Sequence, residues 1–247
     1  MANSDQDWRD WGETEPYFGV LSDERFQMAS IADNRDAFFT LGQATVEERL
    51  ATAERHFGAF ARGSALDFGC GVGRLSIPLA AQFGAVQGLD IAPAMLAEAR
   101  ANADALAVGN LDLALSDDAL SRAQGPYDFV MSALVLQHIP VRRGLGILAR
   151  LLELTASGGV LSLQICVGRP GSRAARLRYW AQCHVPGVHI VFNLVRGRRL
   201  REPLMQMNPY PLNDVIALVK AADFGPCLFD HHFDGRFATV HILTRRR

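Results

Sequence analysis

Between residues 64 and 167 the chain alternates short apolar runs with stretches of helical spacing. The apolar runs "SALDF" (64–68), "AVQGLDI" (85–91), "LDLAL" (111–115), "YDFVMSAL" (127–134) and "GVLSLQICV" (159–167) read as strands. The segments "RLSIPLAAQF", "PAMLAEARANAD" and "RRGLGILARLLELT" lie between them and read as helices. Strand–helix alternation predicts a parallel sheet with helices on both faces. Before this block, "TVEE" predicts a capping box with Thr45 as N-cap of a helix over 45–60, with Val46, Leu50, Ala53, Phe57 and Phe60 on one face. After it, residues 168–207 break the rhythm. A helix over 212–222, with Asn213 as N-cap, leads to "CLFDHHF" and "FATVHILTR", and the "DG" at Asp234–Gly235 reads as a hairpin turn between them. The pattern divides the chain into an arm with covering helices (1–60), an α/β core (61–167), an insertion (168–207) and a closing helix and hairpin (208–247).

Composition narrows the class. The chain has 247 residues, 49% of them hydrophobic, enough for one large core. A formal net charge of -1 gives no global pull toward nucleic acid or an anionic membrane. Cys70, Cys166, Cys183 and Cys227 have no paired spacing and read as reduced thiols, which suits a cytoplasmic protein. The opening "MANSDQDWRDWGETEP" is acidic, unlike a signal peptide, and no apolar run approaches the length of a transmembrane segment.

The stretch "ALDFGCGVGR" (65–74) carries the chemistry. Gly69, Gly71 and Gly73 follow a strand and precede a helix, at the carboxyl edge of the sheet where ligands bind in open α/β folds. A dinucleotide fingerprint would place Gly or Ala where Arg74 stands. Asp67 inside the turn would repel a pyrophosphate but welcome an ammonium group. Asp90, at the end of the next strand, suits two ribose hydroxyls. The expected ligand is a ribonucleoside with an amine-bearing, cationic tail, and S-adenosylmethionine fits.

The pieces "LDFGCGVGRLSIPLA", "VQGLDIAPAMLAEAR", "YDFVMSALVLQHIP" and "LLELTASGGVLSLQI" resemble, in order and spacing, the class I S-adenosylmethionine-dependent methyltransferases. That resemblance implies a doubly wound, mostly parallel seven-stranded sheet with an antiparallel last strand and a helical cover. It implies that Asp67, Gly69, Cys70, Gly71, Gly73 and Arg74 surround the methionine part, and that Asp90 holds the ribose. Ile91 and Met95 would flank the adenine. Asp117 or Asp118, with Ala119, would meet its amine, and Ser132 would stand beside the tail. The arm "DWGETEPYFGVLSDERF" is also similar to that of bacterial methyltransferases of polysaccharide and natural-product pathways, which places Tyr17 with the acceptor.

His138 in "LQHIP" follows the fourth strand and is the expected general base or acceptor-orienting group. The alternative is a histidine that caps a helix or packs the cover. From Leu154 to Leu200 there is no Asp or Glu, while Arg169, Arg173, Arg176, Arg178, Arg196, Arg198, Arg199 and Arg201 crowd in or beside the insertion. Tyr179, Trp180, His184, Asn208 and Tyr210 join them as acceptor candidates. The preferred acceptor is a small metabolite bearing phosphate or carboxylate. A lipid surface, RNA and a solvated basic face are the other readings of the same charge. "MSALVL" stands where enzymes acting on DNA base amines carry an N-P-P-Y type of sequence, which argues against DNA. No metal-ligand set is apparent. An RNA methyltransferase, a dehydrogenase and a cofactor-binding protein without methyl transfer are the competing functions; the last rests on the separation of binding from catalytic residues.

Overall fold

The computed structural model describes residues 4–169, 171–185, 187–197, 200, 202–233 and 237–247, with Arg176 described by its backbone alone. Five parallel strands, β1 (Ser64–Phe68), β2 (Ala85–Asp90), β3 (Leu111–Leu115), β4 (Tyr127–Ser132) and β5 (Thr155–Gly168), form one sheet with β6 (Phe224–Phe233) and β7 (Ala238–Arg246). The order is β3-β2-β1-β4-β5-β7-β6. β7 runs antiparallel to both β5 and β6. The order reverses between β1 and β4, and such a switch point opens a crevice at the carboxyl ends of the strands. The turn expected at Asp234–Gly235, like Arg198, Arg199 and Arg201, lies outside the described residues.

Four helices precede or follow the early strands: α1 (Ser4–Thr14), α2 (Pro16–Val20), α3 (Ile31–Phe57) and α4 (Ser76–Ala80). Then come α5 (Pro93–Ala105), α6 (Val141–Glu153), α7 (Arg173–His184), α8 (Val188–Val195) and α9 (Leu212–Ala221). One face of the sheet packs on α6 and α9 through residues such as Leu66, Val130, Leu148, Leu151 and Val215. The other packs on α3 and α4 through Val46, Leu50, Ala53, Leu79 and Phe129.

Two boundaries differ from expectation. The first long helix begins at Ile31, not near Thr45. Thr45 sits mid-helix, and its hydroxyl donates back to the Leu41 carbonyl at 2.7 Å, so no capping box forms. The predicted face is correct nonetheless: Val46, Leu50 and Ala53 are buried, and the helix stops where Gly58 takes a φ of +77°. In α9 the cap position is Pro211, and Asn213 lies inside the helix.

Candidate active site

β1 delivers the chain into a turn that only glycine builds. Gly69, Gly71 and Gly73 have φ of +76°, +53° and +86°. A Cβ on Gly69 would meet Val135 at 2.3 Å, and one on Gly71 would meet Val20 at 2.4 Å. Four amides of this turn are engaged within the chain. Gly69 and Cys70 donate to the Leu89 carbonyl (2.7 and 3.1 Å), and Gly73 donates to Cys70 (2.9 Å). Gly71 donates to the Asp90 carboxylate at 2.9 Å, and Ala92 donates to its other oxygen at 2.9 Å. Those four N–H groups are committed within the chain rather than open to a pyrophosphate. The turn instead aims one carboxylate, Asp90, at the sheet edge. Burial raises the pKa of Asp90, and the amides of Ala92 and Gly71 oppose that rise.

A cleft opens there, between the turn, the ends of β2 and β4, and α1. Gly69, Gly71, Asp90, Ile91, Met95, Asp117, Asp118 and His138 line it, so the structure brings these predicted residues together. Trp8, Val20, Phe68, Leu134, Val135 and Ile147 supply apolar wall. Among the described lining residues, four carboxylates (Asp5, Asp90, Asp117, Asp118) face one guanidinium, Arg143.

α1 closes over this cleft. Arg143 on α6 ion-pairs with Asp5 on α1 and with Asp118 at 2.6 Å, tying the helix to the loop after β3. Gly12 and Gly19 lie against Met95, where a Cβ would stand 3.1 and 3.2 Å from its side chain. Trp8 packs its ring 4.8 Å from that of His138.

His138 sits in the short 3-10 turn Leu136–His138 after β4 and is buried. Its Nδ1 lies 2.6 Å from the Gln206 carbonyl oxygen. A carbonyl only accepts, so Nδ1 carries the proton and Nε2 keeps its lone pair. Burial pushes the imidazole down to about 4, with the Gln206 contact partly opposing, so the ring is neutral near pH 7.

Residues 65–159 match the family model described as a methyltransferase domain. Those residues form a methyltransferase domain. Two curated relatives show the range. The magnesium-protoporphyrin O-methyltransferase of Synechocystis is 39% identical over 97 residues, which are 39% of this chain and 42% of that protein. The trans-aconitate 2-methyltransferase of Methylobacterium radiotolerans is 41% identical over 103 residues, 41% of this chain and 37% of that protein. The chain thus spans less than half the length of these relatives. In three dimensions the crystal structure of magnesium protoporphyrin IX methyltransferase from Synechocystis with bound S-adenosylhomocysteine superposes with a TM-score of 0.63 at 21% identity, covering 97% of this chain and 98% of that one.

The methyltransferase cleft fits S-adenosylmethionine by its donor set. Asp90 offers a carboxylate for ribose hydroxyls, Ile91 and Met95 offer apolar walls, and the acidic lining suits a cationic tail. Asp117 and Asp118 both line it, each already with a partner. Asp117 accepts from the Ser121 amide at 2.9 Å and from its hydroxyl, while Asp118 is in the Arg143 pair.

Other expected cofactor residues stand behind the wall. Asp67 is buried and accepts from the Ser76 hydroxyl at 2.6 Å; burial pushes its carboxyl up to about 6, although Ser76 and the nearby Arg74 oppose this. Cys70 packs with Leu96, Ala99 and Leu113, and burial raises its thiol pKa strongly. Gly73 faces Ile77 and Ala99, and Arg74 is buried beside Gly42 of α3. Ser132 is fully buried and its hydroxyl has no hydrogen-bond partner. Ala119 is exposed, and its carbonyl accepts from Arg150 at 3.3 Å.

The six acceptor candidates do not line the cleft. Tyr17 is buried against α5, its hydroxyl 2.6 Å from the Glu98 carboxylate and 2.9 Å from the Asn102 amide oxygen. Tyr210 is buried and donates to the Ile139 carbonyl at 3.0 Å. Asn208 binds the Gln137 carbonyl through its backbone at 2.6 Å and its side chain at 3.2 Å. Tyr179 hydrogen-bonds the Met207 backbone and stacks under Arg169 at 3.5 Å. Trp180 and His184 are exposed and stacked on each other. The cleft residues that sequence reading missed include Ser4, Asp5, Trp8 and Arg143. Their signal was weak, because their positions depend on how α1 and α6 dock rather than on local pattern. Among the described residues there is no cluster of three metal-ligating side chains, and no helix is long and apolar enough to cross a membrane.

Proposed function

We propose that the protein is a methyltransferase that moves the methyl of S-adenosylmethionine to an oxygen or nitrogen nucleophile on a small molecule, with a hydroxyl as the best-suited acceptor. The observation that carries the acceptor chemistry is the fixed tautomer of His138. With Nδ1–H committed to Gln206, the ring presents only a lone pair at Nε2. A hydroxyl donates to that lone pair, which aligns its oxygen and lightens it of its proton as the new bond forms. A bare carboxylate gains nothing from it. When bound, S-adenosylmethionine supplies an electrophilic methyl group; Asp90 and the apolar walls would hold it, and Asp117 or Asp118 would take its adenine amine.

The anionic acceptor expected from the arginine count is less well supported by geometry. Arg173, Arg178 and Arg196 are exposed, Arg169 is stacked on Tyr179, and the cleft itself carries more carboxylates than guanidinium. An acceptor with a phosphate or carboxylate would have to hold that group outside the cleft. The small size of the acceptor, not its hydroxyl, draws further support from relatives whose names record a porphyrin and aconitate, the latter a carboxylic acid.

The test is methyl transfer from labelled S-adenosylmethionine to panels of hydroxylated small molecules, carboxylic acids, amines and RNA. Transfer to hydroxyl compounds is expected to fall about 100-fold in kcat for His138→Ala, the lower end of general-base effects for so weak a base, with cofactor affinity unchanged. Full turnover in His138→Ala, or transfer confined to RNA or to carboxylates, overturns the reading.

A further inference from the structure

α8 is built inside out. Its sequence VHIVFNLV places His189 and Asn193 four residues apart on one face, and that polar face is the one turned inward. Asn193 is buried and donates to the carbonyls of Glu202 (3.0 Å) and Leu200 (3.4 Å), while His189 Nε2 lies 2.7 Å from the Glu202 carbonyl oxygen. The aliphatic face is left in water: Val191 is 58% exposed, Leu194 65% and Val195 78%. α7 adds Leu177 and Trp180, 66% and 53% exposed, on the neighbouring helix. Burial of these five side chains is what an ordinary surface helix would achieve, and the hydrogen bonds of Asn193 hold α8 in the opposite sense.

Charge selects the partner. The chain has no Asp or Glu from Leu154 to Arg201. Arg173 and Arg178 on α7 and Arg196 at the end of α8 are exposed and make no ion pair among the described residues. A second copy of the same face would set arginine against arginine. RNA, or a free phosphorylated solute, would use the arginines and leave five apolar side chains wet. An anionic bilayer satisfies both, with aliphatic side chains at the acyl boundary and long guanidinium stems reaching lipid phosphates.

We propose that the α7–α8 cover docks on the surface of an anionic lipid bilayer. The cover lies flat on the membrane without crossing it, which brings the cleft to acceptors held in the lipid.

The experiment is sedimentation of the full chain with vesicles of phosphatidylcholine alone, or of phosphatidylcholine and phosphatidylglycerol in a roughly 2:1 mixture that reproduces an anionic leaflet. Strong partition onto the mixed vesicles is expected, with at least a tenfold weaker partition onto phosphatidylcholine. The paired variant Val191→Glu/Leu194→Glu and the paired variant Arg173→Glu/Arg178→Glu should each lose about tenfold in partition. Both should keep wild-type binding of S-adenosylhomocysteine, which separates docking from folding and from the methyltransferase reading. No partition onto mixed vesicles overturns the proposal. So does unchanged partition of Val191→Glu/Leu194→Glu, or tighter binding to a single-stranded RNA than to the vesicles.

Discussion

At the scale of single residues, Asp90 does two jobs with one carboxylate. It accepts from the amides of Gly71 and Ala92, and it lines the cleft. Asp90→Ala removes the acceptor that orders the turn, and a lost hydrogen bond to a charged group is worth about 1.5–3 kcal/mol. Cofactor affinity measured by calorimetry should therefore fall roughly 10- to 100-fold. His138 makes a different prediction. Its folded pKa of about 4 lies below the ordinary 6.5, and burial of His241, with Arg49 nearby, pushes that ring to about 4 as well. Between pH 6.5 and 4 the unfolded chain binds protons that the folded chain refuses, so stability is full above 6.5 and falls as pH drops. Asp67 works in the opposite sense. Its folded pKa of about 6 lies above 3.8, so its contribution grows as pH falls through 6 and is lost as pH rises. Urea midpoints at pH 7.5 and 5 should show His138→Gln losing less stability on acidification than the wild type, and Asp67→Asn losing more. Asp90 was legible in the sequence because its position follows from strand length and turn alone. The tautomer of His138 was not, since Gln206 lies 68 residues away in sequence.

Elements explain why the glycine turn could be read so early and the cover could not. Three left-handed residues between a strand and a helix are a local matter, visible in "GCGVG". Gly69→Ala would put a Cβ into Val135 at 2.3 Å on a backbone of φ +76°; a loss of several kcal/mol in unfolding free energy is expected, about the scale of overpacking combined with backbone strain. The start of α3 was misplaced because a mid-helix threonine with a glutamate three residues later imitates a cap. An arm covering the site was anticipated, but its contacts rest on remote partners, Asp5 with Arg143 and Trp8 with His138. Arg143→Met should free α1 without touching the sheet. Amide exchange over residues 4–14 should rise, while β1, β4 and β5 stay protected.

For the molecule as a whole, the parallel sheet followed from the alternation of elements and the reversed last strand from the family resemblance, whereas the inverted face of α8 contradicts the rule that apolar residues go inside. That rule describes chains surrounded only by water. The fold also predicts which nucleotide ligand stabilises it. With four of the turn amides consumed internally, NAD should leave Tm unchanged. S-adenosylhomocysteine at 100 times its Kd should add about 2.7 kcal/mol, or roughly 5–10 °C in a chain of this size.

The four carboxylates that face Arg143 in the cleft have one more consequence. S-adenosylmethionine carries one net positive charge, and S-adenosylhomocysteine carries none. Each turnover therefore discharges the molecule that the acidic walls attracted, and the spent form loses part of its hold at the moment it must leave. The affinity ratio between the two should narrow as salt rises from 20 mM to about 500 mM, where screening shortens to a few ångströms. Feedback inhibition by the spent form should accordingly be weakest in dilute buffer.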